Sequence, residues 1–148
     1  MTDMTTDNEF CTFRLDHLTF GIEVHQVQEV IRPQALTAVP RSNPVVQGLI
    51  NLRGQIVTAI DLRRRLELPE RPEGQEAMNV VVRTPEGEVS FLVDEIGDVV
   101  HVDEHSFETP PDTVEGVARE LITGAYKLDD RLLLILDVQR TVQLPTAA

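Results

Sequence analysis

The chain has 148 residues, 41% hydrophobic and 26% charged, a composition typical of one ordinary globular domain or of two very small ones that share a core. Its formal net charge of −12 argues against a nucleic-acid partner, because contacts with phosphate dominate such binding. The polar start of the chain lacks the pattern of a signal peptide, and no apolar run approaches the length of a membrane span. A single cysteine excludes an internal disulfide. The sequence therefore predicts a cytoplasmic protein.

Short strands dominate the predicted elements of the first half. Residues 13–24 alternate apolar and polar side chains about Asp16-His17, which is the pattern of a β-hairpin. Residues 24–31 predict one or two helical turns after a strand, ended by Pro33. Residues 56–60 are rich in β-branched side chains and predict a strand, and residues 62–68 predict a short helix that ends at Pro69.

The second half begins with a loop and returns to strands. Residues 69–77 contain prolines, a glycine and charged side chains, which predict an exposed loop. Residues 79–83, 88–93 and 132–136 predict strands, and Thr84-Pro85-Glu86-Gly87 predicts a tight turn between the first two. Many short strands with little helix indicate a small barrel or sandwich.

Two blocks of sequence recur in the same order. Residues 49–62 match residues 125–138 in the succession of polar turn, apolar strand and Asp, and residues 24–31 match residues 93–100. The chain therefore looks like a duplicated unit, and two copies favour a pair of barrels over a solenoid. Asp61 and Asp137 end equivalent strands, which favours a capping role for each over a catalytic pair.

The blocks that carry the repeat also resemble the CheW family of chemotaxis proteins. The matching stretches are residues 20–24, 27–30, 48–57, 61–63, 93–96 and 132–137, of which the turn Asn51-Leu52-Arg53-Gly54 is the most specific. The resemblance runs from about Phe13 to Val142, so it accounts for nearly the whole chain.

The resemblance implies an all-β fold with short helices, made of two tandem or intertwined five-stranded Src-homology-3-like β-barrels. It implies a flexible N-terminus over residues 1–12, a single domain over residues 13–144 and a tail over residues 145–148. The boundary between the two barrel subdomains is expected near residues 69–77.

The family also implies a function and its partners. Its members bridge the cytoplasmic hairpin tips of chemoreceptors (methyl-accepting chemotaxis proteins) to the regulatory domain of the histidine kinase CheA, without catalysis or a cofactor. We therefore expect a cytoplasmic adaptor, recruited to membrane-associated receptor arrays. A similar scaffold of a non-flagellar array, such as one for twitching motility, is the alternative within the same fold.

Arg53 is the first candidate for partner binding, together with Asn51 and Gly54 of the same turn. A guanidinium makes bidentate contacts with a carboxylate or with the carbonyls that end a partner helix. Gly54 allows the positive φ that such a turn requires. The resemblance assigns receptor or kinase coupling to Arg53, and the other interpretation is a surface arginine that only closes the turn.

The second group of candidates is Val27, Glu29, Val30 and Ile31, followed by Gly48. The aliphatic side chains either anchor a partner helix in a half-exposed groove or belong to the core. Glu29 matches a family position tied to receptor binding. Gly48 either allows the close approach of another backbone or is a simple turn glycine.

Two further motifs are rich in charged side chains and histidines. Arg63-Arg64-Arg65 is the only basic run, and it predicts a solvated face or, alternatively, a basic face that meets an acidic partner. His101-Val102-Asp103-Glu104-His105 fits the pattern of a small zinc hydrolase, with His101 and His105 as ligands and Glu104 as base. That chemistry needs both histidines on one helical face, whereas the neighbouring valines favour a strand, so the zinc site is an unfavoured alternative.

Overall fold

The computed structural model describes residues 9–40, 43–111, 114 and 116–144, without the side chain of Glu104. The expected tail and most of the expected flexible N-terminus lie outside these residues. The first strand begins at Glu9, inside the range expected to be flexible.

The described residues form eleven β-strands and three short α-helices. The strands are β1 (Glu9–Leu15), β2 (Leu18–Glu23), β3 (Val27–Ile31), β4 (Val46–Leu52), β5 (Gln55–Asp61), β6 (Met78–Thr84), β7 (Gly87–Val93), β8 (Glu95–His101), β9 (Phe107–Glu108), β10 (Ile122–Lys127) and β11 (Leu132–Leu136). The helices are α1 (Leu62–Arg65), α2 (Gly116–Leu121) and α3 (Val138–Val142), and one-turn 3-10 helices lie at Val24–Gln26 and Glu104–Ser106.

The strands build two sheets of the same design. The six-stranded sheet has the order β8-β1-β2-β11-β10-β9, and the five-stranded sheet has the order β3-β6-β7-β5-β4. Each contains one parallel pair, β2 with β11 and β5 with β7, and its other pairs are antiparallel. The predicted all-β fold with short helices is confirmed. The six-stranded sheet has one strand more than expected, because Phe107–Glu108 pairs with β10.

The sequence repeat appears in the structure as a repeat of elements. Strands β1, β2 and β3 correspond to β6, β7 and β8, since Glu9–Leu15 and Met78–Thr84 stand 69 positions apart. Strands β4 and β5 with α1 correspond to β10 and β11 with α3 at a spacing of 76 positions, since Asp61 and Asp137 precede the two helices.

The two copies exchange their first hairpins. Hairpin β1–β2 of the first copy pairs with strands of the second copy, through β8 on one side and β11 on the other. Hairpin β6–β7 of the second copy pairs in the same way with β3 and β5. The loop at residues 69–77 therefore separates the two sequence copies, while the strands on both of its sides belong to the five-stranded sheet.

Apolar side chains form one shared core and two smaller ones. The shared core joins Phe13, Phe20 and Ile22 of the six-stranded sheet to Ile60 and Phe91 of the five-stranded sheet. A second cluster around Ile50, Val57 and Val81 lies on the five-stranded sheet, and a third around Phe10 and Leu133 lies on the six-stranded sheet. The shared core holds the two sheets together by burying apolar area from both.

Local predictions for the first half are mostly confirmed. The hairpin turns at Asp16, which adopts a positive φ of 58°. Residues 24–31 form a single 3-10 turn and then β3, so the helical part is shorter than predicted. Both predicted caps are present, because Asp61 accepts a hydrogen bond from the Arg63 amide at 3.0 Å and Asp137 accepts one from the Arg140 amide at 3.1 Å.

The interpretation of Arg63-Arg64-Arg65 as a basic solvated or partner-facing surface is wrong for two of its three residues. Arg63 and Arg65 are buried, and only Arg64 is exposed. In a one-turn helix, residues two apart point to opposite sides, so neighbouring arginines reach different partners. Arg65 donates to the carbonyls of Thr141 at 2.8 Å and of Arg140 at 3.0 Å, and so binds α1 to the last turn of α3.

Candidate partner-binding site

A cleft lies between the end of β3 and the start of β8, which are edge strands of the two sheets. Its volume is about 580 Å³. We call it the inter-sheet cleft, and it is lined by Arg32, Pro33, Glu76, Met78, Asp94, Glu95 and Ile96. The apolar side chains lie among charged ones, which suits a partner that is amphipathic.

The two edge strands beside the cleft expose equivalent aliphatic side chains. Val30 on β3 is 45% exposed, and Val99 on β8, 69 positions later, is 57% exposed. Edge strands with uncovered apolar side chains are common at protein–protein interfaces. Val99 was absent from the sequence-predicted site, although the match of residues 24–31 with 93–100 already paired it with Val30.

The other predicted residues of β3 divide between core and surface. Val27 is half-buried and packs against the shared core, and Ile31 packs against the cluster on the five-stranded sheet. Of the three predicted aliphatic anchors, the structure therefore exposes Val30 most fully, and Val27 and Ile31 contribute mainly to packing.

Glu29 and Arg53, predicted separately, contact each other. The Arg53 guanidinium donates two hydrogen bonds to the Glu29 carboxylate, from Nη1 to Oε1 at 3.0 Å and from Nη2 to Oε2. The hydrogen bonds from Arg53 hold the pKa of Glu29 below its ordinary value. The pair connects β3 at one edge of the five-stranded sheet to the β4–β5 turn at the other edge.

The turn that carries Arg53 has the expected geometry. Arg53 and Gly54 both adopt a positive φ, of 51° and 85°, and Asn51 Oδ1 accepts a hydrogen bond from the Gly54 amide at 3.0 Å. Two adjacent positive φ angles are typical of tight hairpins, and glycine adopts one without strain. Ile56, two residues further on, is 65% exposed and was absent from the sequence-predicted site, since residues 56–60 were predicted only as a strand.

Gly48 is required by the close approach of another backbone. A Cβ at this position would lie 2.7 Å from the carbonyl oxygen of Thr37, which accepts a hydrogen bond from the Leu49 amide. Gly124, at the equivalent position of the second copy, lies under the half-exposed ring of Phe107. The approaching backbone belongs to this chain, so Gly48 shapes the edge of the sheet.

The histidines of the zinc alternative do not share a helical face. His101 ends strand β8 and pairs with Glu9 of β1, whereas His105 lies in the following 3-10 turn. The side chain of Glu104 lies outside the described residues. Across the part of the chain that the structure describes, no three His, Cys, Asp or Glu side chains are grouped so as to hold a metal ion. The structural premise of the zinc alternative is therefore wrong.

None of the helices in the described ranges has the length and apolar character that a membrane span requires.

Comparison with known proteins gives a consistent result. The profile of a family described as CheW-like domain matches residues 9–145. Chemotaxis protein CheW of Bacillus subtilis is 34% identical over 91% of this chain and 86% of its own length, and CheW of Thermotoga maritima is 28% identical over 97% and 93%. The crystal structure of the scaffolding protein TtCheW from Thermoanaerobacter tengcongensis aligns with a TM-score of 0.83 and 26% identity, covering 93% of this chain and 94% of that one.

Proposed function

Because this chain belongs to the family of CheW-like domains, we propose that it is a chemotaxis adaptor that couples chemoreceptors to the histidine kinase CheA through two surfaces. The observation that supports two binding surfaces is the five-stranded sheet, which has the edge strand β3 on one side and the β4–β5 turn on the other. An adaptor of this kind works by binding, so its surfaces rather than a catalytic centre determine its activity.

The inter-sheet cleft is the surface that we assign to the chemoreceptor. A receptor's cytoplasmic tip is a helical hairpin, and helices dock through apolar side chains spaced along one face. Ile96 and Met78 line the cleft, and Val30 and Val99 are exposed on the two edge strands beside it, which supplies such anchors. Glu29, next to Val30 on the same strand, is held by the Arg53 guanidinium and so links this edge strand to the β4–β5 turn.

The turn from Asn51 to Gly54 is the surface that we assign to the regulatory domain of CheA. This turn projects from the edge of the five-stranded sheet and carries an exposed arginine beside the exposed Ile56. An exposed aliphatic side chain next to a guanidinium is a typical centre for contact between two folded domains. Gly48 supports this surface by fixing the path of β4 under residue 37.

The proposed adaptor function requires no catalytic activity of this chain. CheW-like proteins are scaffolds, and we propose that this one has neither enzymatic activity nor a cofactor. We place it in the cytoplasm beneath receptor arrays of chemotaxis, the process named for the relatives, rather than of twitching motility.

Reversal of the charge at Arg53 tests the assigned contact. We expect Arg53→Asp to keep the fold, because the side chain is exposed, and to lose co-sedimentation with receptor fragments and CheA. Arg131→Asp is the matched control, since Arg131 is a half-exposed arginine paired with Asp130 in the corresponding turn of the second copy. Co-sedimentation of Arg53→Asp at the level of this control would refute the contact.

A charge swap separates the two roles that Arg53 can have. In Glu29→Arg with Arg53→Glu the internal ion pair is rebuilt with its signs exchanged. If Arg53 contacts CheA directly, we expect the swapped protein to remain defective in the same assay. Recovery of complex formation would show instead that the arginine acts only by holding β3.

A further inference from the structure

The residue at which the chain passes from the five-stranded to the six-stranded sheet is held by an unusual set of buried charges. Asp94 stands alone between β7 and β8, and its side chain is 6% exposed. Arg63 approaches it from α1 and Arg71 from the loop at residues 69–77. We call Arg63, Arg71 and Asp94 the crossover cluster.

Arg63 makes the largest number of contacts in this cluster. Its Nε donates to Asp94 Oδ1 at 3.0 Å and its Nη2 donates to Asp94 Oδ2 at 2.5 Å. Its remaining nitrogen, Nη1, donates to the carbonyls of Pro69 at 3.0 Å and Glu70 at 3.2 Å. A guanidinium satisfied in this way holds three chain segments in one geometry.

The other contacts complete the enclosure of Asp94. Arg71 Nε donates to Asp94 Oδ1 at 3.0 Å, and the amide of Asp16 donates to Asp94 Oδ2 at 2.8 Å. Arg71 Nη2 lies 3.8 Å from Asp61 Oδ1, so the buried arginines face two carboxylates. Asp16 belongs to the β1–β2 turn, which means that one carboxylate binds both sheets.

The first copy also passes from one sheet to the other, between β2 and β3, but among the described residues it has no such cluster of arginines around a carboxylate there. Residue 25 stands 69 positions before Asp94, in the 3-10 turn between β2 and β3. It is an exposed histidine, its ring lies 3.2 Å from the Glu23 carboxylate, and its carbonyl accepts a hydrogen bond from Arg83 at 2.8 Å. A buried carboxylate held by arginines is therefore present at the Asp94 crossing and not at residue 25.

That position is a wall of the inter-sheet cleft. Asp94 lines the cleft together with Glu95 and Ile96, the first residues of β8. Arg32 and Pro33, which follow β3, line it from the other sheet. The orientation of the chain at Asp94 therefore fixes where β8 begins relative to β3.

We propose that the crossover cluster is a positioning device that sets the width of the inter-sheet cleft, and thereby the affinity of this surface for a helical partner. The inference rests on the proposed function for the identity of that partner. Its structural part, the control of cleft width by three charged residues, stands on the contacts alone.

Distance measurement between the two edge strands tests the structural part. Spin labels at Gln28→Cys and Asp98→Cys, both exposed positions, report the separation of β3 and β8 in a Cys11→Ser background. We expect Asp94→Asn and Arg71→Gln to shift or broaden the distance distribution measured by pulsed electron paramagnetic resonance. Arg64→Gln, an exposed arginine of α1 that bonds Glu70, should leave it as in the parent protein.

The folded state is checked by circular dichroism before each measurement. If Asp94→Asn does not fold, Arg71→Gln decides the question, because it removes one hydrogen bond to Asp94 and leaves those of Arg63 in place. An unchanged distribution in the folded variants would overturn the inference, since a purely stabilising cluster changes the unfolding temperature but not the geometry of folded molecules.

Binding measurements test the consequence for function. We expect the folded cluster variants to bind receptor fragments roughly fivefold more weakly, while binding to the CheA regulatory domain changes less than about twofold. Equal loss for both partners would contradict the assignment to the cleft. If the parent protein binds neither partner, the proposed function fails, and the distance measurement still decides whether the cluster sets the cleft.

Discussion

Two carboxylates, Glu29 and Asp94, are paired with arginine in very different surroundings. The Glu29–Arg53 pair lies at the surface, where water and salt screen it, so its main effect is on orientation. Asp94 is buried, and burial by itself raises the pKa of its carboxyl. The hydrogen bonds from Arg63, the Asp16 amide and Arg71 outweigh burial and hold the pKa of Asp94 below its ordinary value.

The lowered pKa of Asp94 predicts an acid-sensitive contribution to stability. A carboxyl whose pKa is lower in the folded state stabilises the fold above its unfolded pKa of about 3.9, and this contribution is lost as the pH falls through the folded value. We expect Asp94→Asn to lower the free energy of unfolding by about 3 kcal/mol at pH 7, because the buried Arg63 and the partly buried Arg71 lose their charged partner. Urea unfolding followed by circular dichroism should show the difference from the parent shrinking towards pH 3.

A constant difference between the two proteins from pH 7 to pH 3 would mean that the charge of Asp94 is not what stabilises the fold. Arg64→Gln should show neither the loss nor the pH dependence, because Arg64 is exposed.

The burial of Arg63 and Arg65 was not predicted from the sequence. Three consecutive arginines indicate a solvated surface when only local sequence is considered. The partners of Arg63 and Arg65 lie 31 and 76 residues away, at Asp94 and Thr141. Glu29 and Arg53 were predicted as separate candidates for partner binding, and their contact depends on how the two edges of the five-stranded sheet approach each other, which the sequence does not show.

At the scale of elements, most strands could be predicted because they alternate apolar and polar residues or run as short β-branched blocks between turn residues. Strand β10 was not predicted, because Ile122–Lys127 contains a glycine, an alanine and a threonine and few large apolar side chains. Helix α3 was not predicted, although the match of Asp61 with Asp137 places it after the second aspartate just as α1 follows the first. The match between the two copies predicted the equivalence of β3 and β8, but not their place at the edges of different sheets.

Substitution of Gly48 on edge strand β4 and of Gly54 in the following turn should lower the free energy of unfolding by different amounts. In Gly48→Ala the new methyl group meets the Thr37 carbonyl at 2.7 Å, and we expect a loss of about 2 kcal/mol from overpacking against backbone. In Gly54→Ala the methyl group meets nothing within 4 Å, and the positive φ alone should cost about 1 kcal/mol.

Chemical unfolding of both variants measures the two losses in the free energy of unfolding. Equal destabilisation would show that the segment around Thr37 moves aside, and that the edge of β4 is less constrained than the contact indicates.

At the scale of the whole molecule, the exchange of hairpins makes the two sequence copies interdependent. Residues 1–74 contain hairpin β1–β2 but lack β6 and β7, which pair with β3 and β5 in the complete chain. Residues 75–148 lack the hairpin that completes the six-stranded sheet. Neither half can therefore form its native sheet alone.

Two fragments cut in the loop at residues 69–77 test this dependence. We expect fragments 1–74 and 75–148 to be poorly structured separately and to associate on mixing into a complex with the circular dichroism of the intact chain. Analytical ultracentrifugation would show the complex as one species of native mass. Two separately folded fragments that fail to associate would contradict the interdependence.

The exchange also determines how this protein can be recombined with its relatives. All strands of the five-stranded sheet come from one uninterrupted stretch, β3 to β7, which is inserted between the two parts of the other sheet. A chimera that swaps residues 24–94 therefore transplants all five strands of one sheet with only two junctions. A chimera joined at the midpoint of the chain inherits two hybrid sheets, so recombination along the visible duplication would disrupt both sheets at once.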